Sequence, residues 1–448
     1  MLIRKADKKI EQWIRNPERA LLVSGARQVG KTFSIRNALE RLNIEYVELN
    51  LIFNPELIEA LDRSYSAHDL TVNLSLATGK KIIPGKTYIF IDEIQQYSDI
   101  VTKIKFWVDE GSFKFVMSGS LLGVELNTLR SAPVGYLDEL TMFPLDFEEF
   151  LWASSVPADV IEELQTCFNY RKPVSEYIHG KMMELFRRYL VVGGMPSPVQ
   201  EYVKSGDMNT VTEIQRNIIS LYKRDFTKYE LENKKLLIVS IYNSIPSQLL
   251  KQNRRFSYTD IKKGLRFEQA ESSFLWLTNA GVAIPVYNAT EPRVSLSQNK
   301  KSSLLKLYCS DVGLLTCMYG EAAKLKILTA DSSLNCGGIF ENAVAQELYA
   351  HGYDLYFYNS HKIGELDFVL EHDGSVLPLE IKSGKDYYVH SAISNVVKNT
   401  EYKIPEAVVL GNCDIHRDGA ITYMPVYFSM FFTEHAALPV LNSDIGLS

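Results

Sequence analysis

LLVSGARQVGKT (residues 21–32) sets a four-residue apolar run ahead of Gly25, Gly30, Lys31 and Thr32 at G-x-x-x-x-G-K-[ST] spacing, and the helix-forming stretch FSIRNALERL follows at once. Strand, glycine-bearing loop and helix N-terminus in that order make a phosphate cradle. The glycines let the backbone curl, so that the N–H groups of Gly25, Ala26, Arg27, Gln28, Val29 and Gly30 and the helix N-terminus face an anion. Lys31 adds a point charge at the β- and γ-phosphate oxygens, and the Thr32 hydroxyl is a Mg²⁺ ligand. Arg27 stands inside the loop, where it either touches phosphate or faces solvent. The cofactors that such a loop calls for are ATP and Mg²⁺.

A second run, YIFIDE (88–93), delivers Asp92 and Glu93 at the C-terminal end of an apolar strand, where ligands collect in open α/β sheets. Asp92 is placed to hold the magnesium through water, and Glu93 to orient or deprotonate the attacking water. Taken alone, the run would also suit a buried strand ending in two solvated acids. FKFVMSGS (113–120) ends a third strand on Ser118, Gly119 and Ser120, small polar groups that fit beside a γ-phosphate or a plain turn.

At 448 residues the chain is long for a single core and reads as several packed units. The balance of 48 Lys+Arg against 54 Asp+Glu gives a formal charge of −6, so no global field draws a polyanion and any nucleic-acid surface must be local. Five scattered cysteines, with no C-x-x-C pair, read as reduced structural thiols, and the eight histidines show no ligand spacing among themselves. The N-terminal stretch lacks the apolar core of a secretory signal, and no apolar run reaches membrane-spanning length, so a cytoplasmic protein without a membrane partner is expected.

Strand-like runs alternate with amphipathic helices up to about residue 150, the pattern of a parallel sheet covered by helices. Residues 1–150 are therefore read as a P-loop ATPase domain, 151–235 as a helical domain broken at GGMP (193–196), 236–330 as a winged-helix-like domain and 331–448 as a domain of order αβββαβ. Residues 251–303 hold nine Lys/Arg against four acids. Their order is helix (258–264), helix (270–280), then the runs VAIPVY and RVSLS. This suits either a DNA-binding winged helix, with Arg254, Arg255, Lys262, Lys263 and Arg266 on phosphates, or an adaptor with a solvated basic face.

GARQVGKT and IDEIQ, together with PVGYLDELTMFPLDFEEFLW (133–152), YLVVGGMPSPVQEYV (189–203), KLYCSDVGLL (306–315) and GGIFENAVAQEL (337–348), resemble the prokaryotic AAA-type ATPases fused to a C-terminal domain of unknown function. The resemblance implies an additional-strand P-loop fold, in which the strand carrying Ser118 lies between those carrying Lys31 and Asp92. In a homo-oligomer, a trans-acting arginine would be expected; Arg130, Arg187, Arg188 and Arg224 are candidates by residue type alone.

GELDFVLEHDGSVLPLEIKSGK (364–385) places Asp367 twelve residues before Glu380-x-Lys382, with Glu341 on the preceding helix. This resembles the PD-(D/E)XK nuclease superfamily, although Leu366 stands where a proline is common. The resemblance implies Mg²⁺ held by Asp367, Glu380 and Glu341, with Lys382 acting on the attacking water. The pattern alone also fits an amphipathic hairpin with solvated charges. The whole is expected to be an α/β protein: a P-loop AAA-type ATPase domain, a helical and winged-helix middle, and a C-terminal αβββαβ nuclease-like domain. It would couple ATP hydrolysis to DNA binding or cleavage, or else serve as a nucleotide-dependent interaction switch on a silent nuclease-like scaffold.

Overall fold

The computed structural model describes residues 2–97, 99–120, 135–226, 232–384 and 386–434. Helix α1 (Lys5–Arg15) buries Ile10, Trp13 and Ile14 on one face and leads into β1 (Ala20–Ser24). There follow α2 (Lys31–Arg41), β2 (Tyr46–Asn50), α3 (Glu56–Asp62), α4 (Ala67–Thr78), β3 (Tyr88–Asp92), α5 (Ile100–Glu110), β4 (Lys114–Ser118) and β5 (Leu137–Thr141). The five strands form one sheet in the order β2-β3-β4-β1-β5, and each neighbouring pair is parallel. β1 is buried at every residue, as a central parallel strand covered on both faces requires. The Ser118 strand lies between the other two motif strands.

β5 is the element of this sheet that the sequence does not announce. LDELT carries three polar residues in five and is half-exposed, an edge strand held by its register along Ala20–Ser24 rather than by its own hydrophobicity.

The middle region is helical as expected: α6 (Phe147–Ala153), α7 (Ala158–Tyr170), α8 (Glu176–Val192), α9 (Pro196–Ser205), α10 (Met208–Phe226) and α11 (Glu232–Leu249). Then come α12 (Phe267–Asn279), β6 (Ala283–Ala289), β7 (Lys300–Cys309), α13 (Val312–Tyr319) and α14 (Glu321–Leu328). Two details differ from the winged-helix expectation. Of 258–264 only Tyr258–Asp260 coils, as a short 3₁₀ turn, because Lys262, Lys263 and Gly264 offer no apolar face. RVSLS is not a strand; the partner of β6 is KKSSLLKLYC, whose last five residues are buried.

The C-terminal order holds: α15 (Gly337–Ala350), β8 (Tyr356–Ser360), β9 (Gly364–His372), β10 (Ser375–Ile381), α16 (Ser391–Lys398) and β11 (Ala407–Gly411), extended by β12 (His416–Asp418) and β13 (Ile421–Pro425). The sheet, however, begins earlier in the chain. Its order is β12-β13-β11-β10-β9-β8-β6-β7, with β6 parallel to β8. The boundary drawn at 330/331 therefore runs through one continuous sheet.

One face of the N-terminal sheet, with Leu22, Leu49, Ile89, Ile91, Trp107 and Phe115, has its own core. The other face shares a single core with the middle and C-terminal regions, running from Val23, Phe90 and Val116 through Phe147, Tyr189, Tyr222 and Phe274 to Ala343 and Phe368. The cysteines of the described residues are free, and among those residues no helix is long and apolar enough to cross a membrane.

Candidate nucleotide-binding site

Parallel pairing sets Asn50 beside Asp92 and Asp92 beside Ser118, so three strands end in one row of polar groups. Thr32 opens toward the same row. Its hydroxyl donates to Asp92 Oδ1 at 3.1 Å, the Asn50 amide donates to Asp92 Oδ2 at 3.1 Å, and the buried Ser118 hydroxyl donates to Asp92 Oδ1. A carboxylate and two hydroxyls, with the Asn50 amide orienting the carboxylate, make the hard, oxygen-rich set that suits a hydrated Mg²⁺.

The loop between β1 and α2 is folded as a cradle. Gly25 has φ +135°, and a Cβ there would stand 2.1 Å from the Met142 carbonyl oxygen, so no other residue fits. Gly30 (φ +100°) caps α2, and Gln28 is also left-handed at φ 66°. Ala26 and Val29 turn their side chains into the core and leave only backbone for a ligand. Lys31 Nζ donates to the carbonyls of Gly25 at 2.9 Å and Ala26 at 2.7 Å. Burial of its ammonium pushes it down to about 8, against the opposing pull of Glu93 and Asp92.

Glu93 follows Asp92 with a left-handed backbone, φ 60° and ψ 46°, and its carboxylate accepts from the Gln95 amide. The Arg27 Nε donates to Ser120 Oγ at 3.2 Å and its Nη1 to Asp225 Oδ2 at 2.6 Å. These groups open onto a cleft of about 580 Å³ whose walls include Gln28, Lys31, Thr32, Glu93 and Ser120, and across from them Leu2, Arg4, Pro196 and Gln200. Arg187 and Arg188 are not among the residues lining it, and Arg130 lies outside the described residues. The sequence reading missed Asn50, Gln95 and the partners of Arg27. Asn50 was legible in principle, as the polar end of the run YVELN.

The C-terminal acids partly converge. β9 and β10 pair antiparallel with Leu379 opposite Phe368, and one residue further along stand Glu380 and Asp367. Lys382 Nζ meets Glu380 Oε1 at 2.8 Å, and the Ile381 N–H donates to Asp367 Oδ2 at 2.9 Å. Burial, then the nearby Asp367 charge, push Glu380 up to about 7 and Glu341 up to about 8.

Three cations that the expectation did not place at this cluster enter here. Lys306, fully buried on β7, places Nζ 3.0 Å from Glu365, 3.8 Å from Asp367 and 4.0 Å from Glu341. Arg254 pairs with Glu341 and lies 3.8 Å from Asp367, and Arg255 pairs with Glu365 at 3.3 Å. Four carboxylates (Glu341, Glu365, Asp367, Glu380) thus face four cations (Arg254, Arg255, Lys306, Lys382).

The residues therefore do not fit the implied Mg²⁺. Among the described residues Glu341, Asp367 and Glu380 do not form a group of ligand atoms within 4.8 Å of one another, whereas Asp146, Glu347 and His351 do. Nor are Arg254 and Arg255 open to DNA phosphates, being occupied by these acids. No sequence signal tells which acid a buried arginine will meet.

Fold and cradle together define a P-loop nucleotide-binding protein. Residues 17–151 match the family model described as an AAA domain, and the N-terminal unit is accordingly a P-loop AAA-type ATPase domain. Residues 183–325 and 336–427 match two domains of unknown function, DUF8612 and DUF4143. No curated protein matches the chain. Among solved structures, the Walker-type ATPase PABY2304 of Pyrococcus abyssi aligns over 71% of this chain and 96% of its own, at 15% identity and a TM-score of 0.46. Pif1 of Bacteroides sp. in complex with ADP-AlF4 aligns over 36% of this chain and 48% of its own, at 18% identity and a TM-score of 0.23. Both superpositions are too loose to carry an argument.

Proposed function

We propose that the chain is a cytoplasmic, Mg²⁺-dependent ATP hydrolase working as a nucleotide-dependent switch, in which the state of the P-loop is passed directly to the helical middle. The observation that carries this reading is the attachment of the loop itself. Arg27 donates to Asp225 and Ser120, and the Arg27 carbonyl accepts from the Tyr222 hydroxyl at 2.9 Å, so α10 holds the phosphate loop by side chain and by backbone. A Cβ on Gly30 would lie 3.7 Å from Pro196 at the start of α9. A γ-phosphate competing for Arg27 or Ser120 would pull on these contacts.

Thr32 and Asp92, supported by Ser118 and Asn50, would hold Mg²⁺, which when bound neutralises charge on the β- and γ-phosphates. Lys31 would leave the Gly25 and Ala26 carbonyls for the phosphate oxygens, and Glu93, released from Gln95, would orient water. Lys31→Ala should lose ATP binding. Glu93→Gln should bind ATP yet hydrolyse it about 10²–10⁴-fold more slowly, measured as single-turnover phosphate release. Unchanged hydrolysis in Glu93→Gln would remove Glu93 from this role.

A second reading, nucleic-acid binding by the middle region, is favoured by Lys262, Lys263 and Arg266, which remain exposed. If they contact phosphates, neutralising all three should flatten the salt dependence of DNA affinity by up to about three log units per log unit of salt. An unaltered slope would make this face an adaptor. Cleavage is not part of the proposal, because the C-terminal acids already hold cations of their own.

A further inference from the structure

We infer that Asp146, Glu347 and His351 form a binding site for a divalent transition-metal ion at the seam between the ATPase domain and helix α15. Each offers one ligand atom, and these atoms lie within 4.8 Å of one another. Asp146 caps the N-terminus of α6 shortly after β5, whereas Glu347 lies in the last turn of α15 and His351, its C-cap, follows four residues on, on the same side.

Two observations besides the clustering point to a ligand. His351 Nδ1 lies 2.8 Å from the Phe432 carbonyl oxygen, which can only accept, so Nδ1 carries a hydrogen. Against the effect of burial, the Asp146 hydrogen bond and the Glu347 charge favour a proton on Nε2, which lies 3.1 Å from Asp146 Oδ2, so a metal ion here takes the place of that proton. An Nδ1–H anchored on a backbone carbonyl is also how metal-bound imidazoles are oriented. The second observation is Glu347. Its Oε1 accepts from the Phe147 N–H at 2.6 Å and the Tyr189 hydroxyl at 3.2 Å, but its Oε2 is buried without any partner in a residue that is 0% exposed.

Asp146, Glu148, Glu149 and Glu347 are met by Arg4, Lys5 and His351, so an ion that replaces the His351 proton leaves the other pairings in place. Lys5 Nζ lies 2.7 Å from Asp146 and 2.6 Å from Glu148, so it keeps a partner when Asp146 turns to an ion. A cleft of about 500 Å³ lined by Lys5, Asp146, Glu148, Glu149 and His351 gives access. One imidazole with two carboxylates suits Zn²⁺, Co²⁺ or Fe²⁺ better than the all-oxygen ions. An ion here would tie the exit of the ATPase sheet to the C-terminal core, independently of the P-loop.

The test is titration of the full chain, chelator-stripped and nucleotide-free, with Co²⁺ followed by its visible d–d bands. The expected result is one Co²⁺ per chain without a thiolate charge-transfer band, unaffected by Lys31→Ala. Affinity should fall by at least about 10–100-fold in His351→Gln, the loss typical when only a supporting partner of a metal ligand is removed. Glu347→Gln should behave alike; should it not fold, His351→Gln at the edge of the cleft decides. No stoichiometric Co²⁺, binding unchanged in His351→Gln, or a thiolate band would each overturn the inference.

Discussion

Lys31 is buried against the loop it serves, and this gives its proton a measurable role. Its pKa is pushed down to about 8 in the nucleotide-free protein, whereas phosphates beside it would stabilise the charged form. Binding is therefore linked to proton uptake above that pH. ATP affinity should stay level below about pH 8 and weaken above it, by up to about tenfold per pH unit, as calorimetry across pH 7–9.5 would read. Affinity flat to pH 9.5 would show that the lysine is fully charged before ATP arrives. Residue chemistry was the most legible scale: Gly25, Lys31, Thr32, Asp92 and Ser118 were placed by spacing, and they converge. Arg27 was left open between phosphate and solvent, and it meets Asp225, a residue nearly two hundred positions away. Such distant pairings leave no local trace.

At the scale of elements, strands with strong apolar runs were readable and those recruited by a neighbour were not. β5 and β7 illustrate this: LDELT is held by β1, and KKSSLLKLYC carries a lysine where an apolar residue is expected, because Lys306 answers acids supplied by other segments. The break GGMP also acquires a reason. Gly193, at φ +75°, ends α8, and a Cβ on Gly194 would stand 2.0 Å from the Leu145 carbonyl oxygen. The Gly194 N–H also donates to the buried Asp311 carboxylate at 2.5 Å, so the end of α8 meets the β5 exit through backbone and the N-cap of α13 through a side chain. Gly194→Ala should cost about 2–3 kcal/mol, the upper range for overpacking, since the opposing atoms are backbone and cannot rotate away. Chemical denaturation would check this, and a cost under about 1 kcal/mol would mean that the junction is looser than drawn.

At the scale of the whole molecule, the domain limits read from composition survive less well than the motifs. The sheet that begins with the β6–β7 hairpin and ends at β12 takes in most of what was divided at 330/331, and one core joins the ATPase sheet to both later regions. The αβββαβ order of the C-terminal segment and its acid set were legible in the sequence. That legibility did not extend to the cations, which come from 254–255 and 306 and stand outside the motif. The shared core and the hold of α10 on the P-loop make one claim about function: nucleotide should be felt beyond the ATPase sheet. Hydrogen exchange of Glu93→Gln with and without ATP reads this directly. The account predicts altered protection in residues 215–226 of α10 and at the start of α9, alongside the P-loop. Changes confined to residues 21–33 and 88–97, with α9 and α10 unmoved, would contradict it.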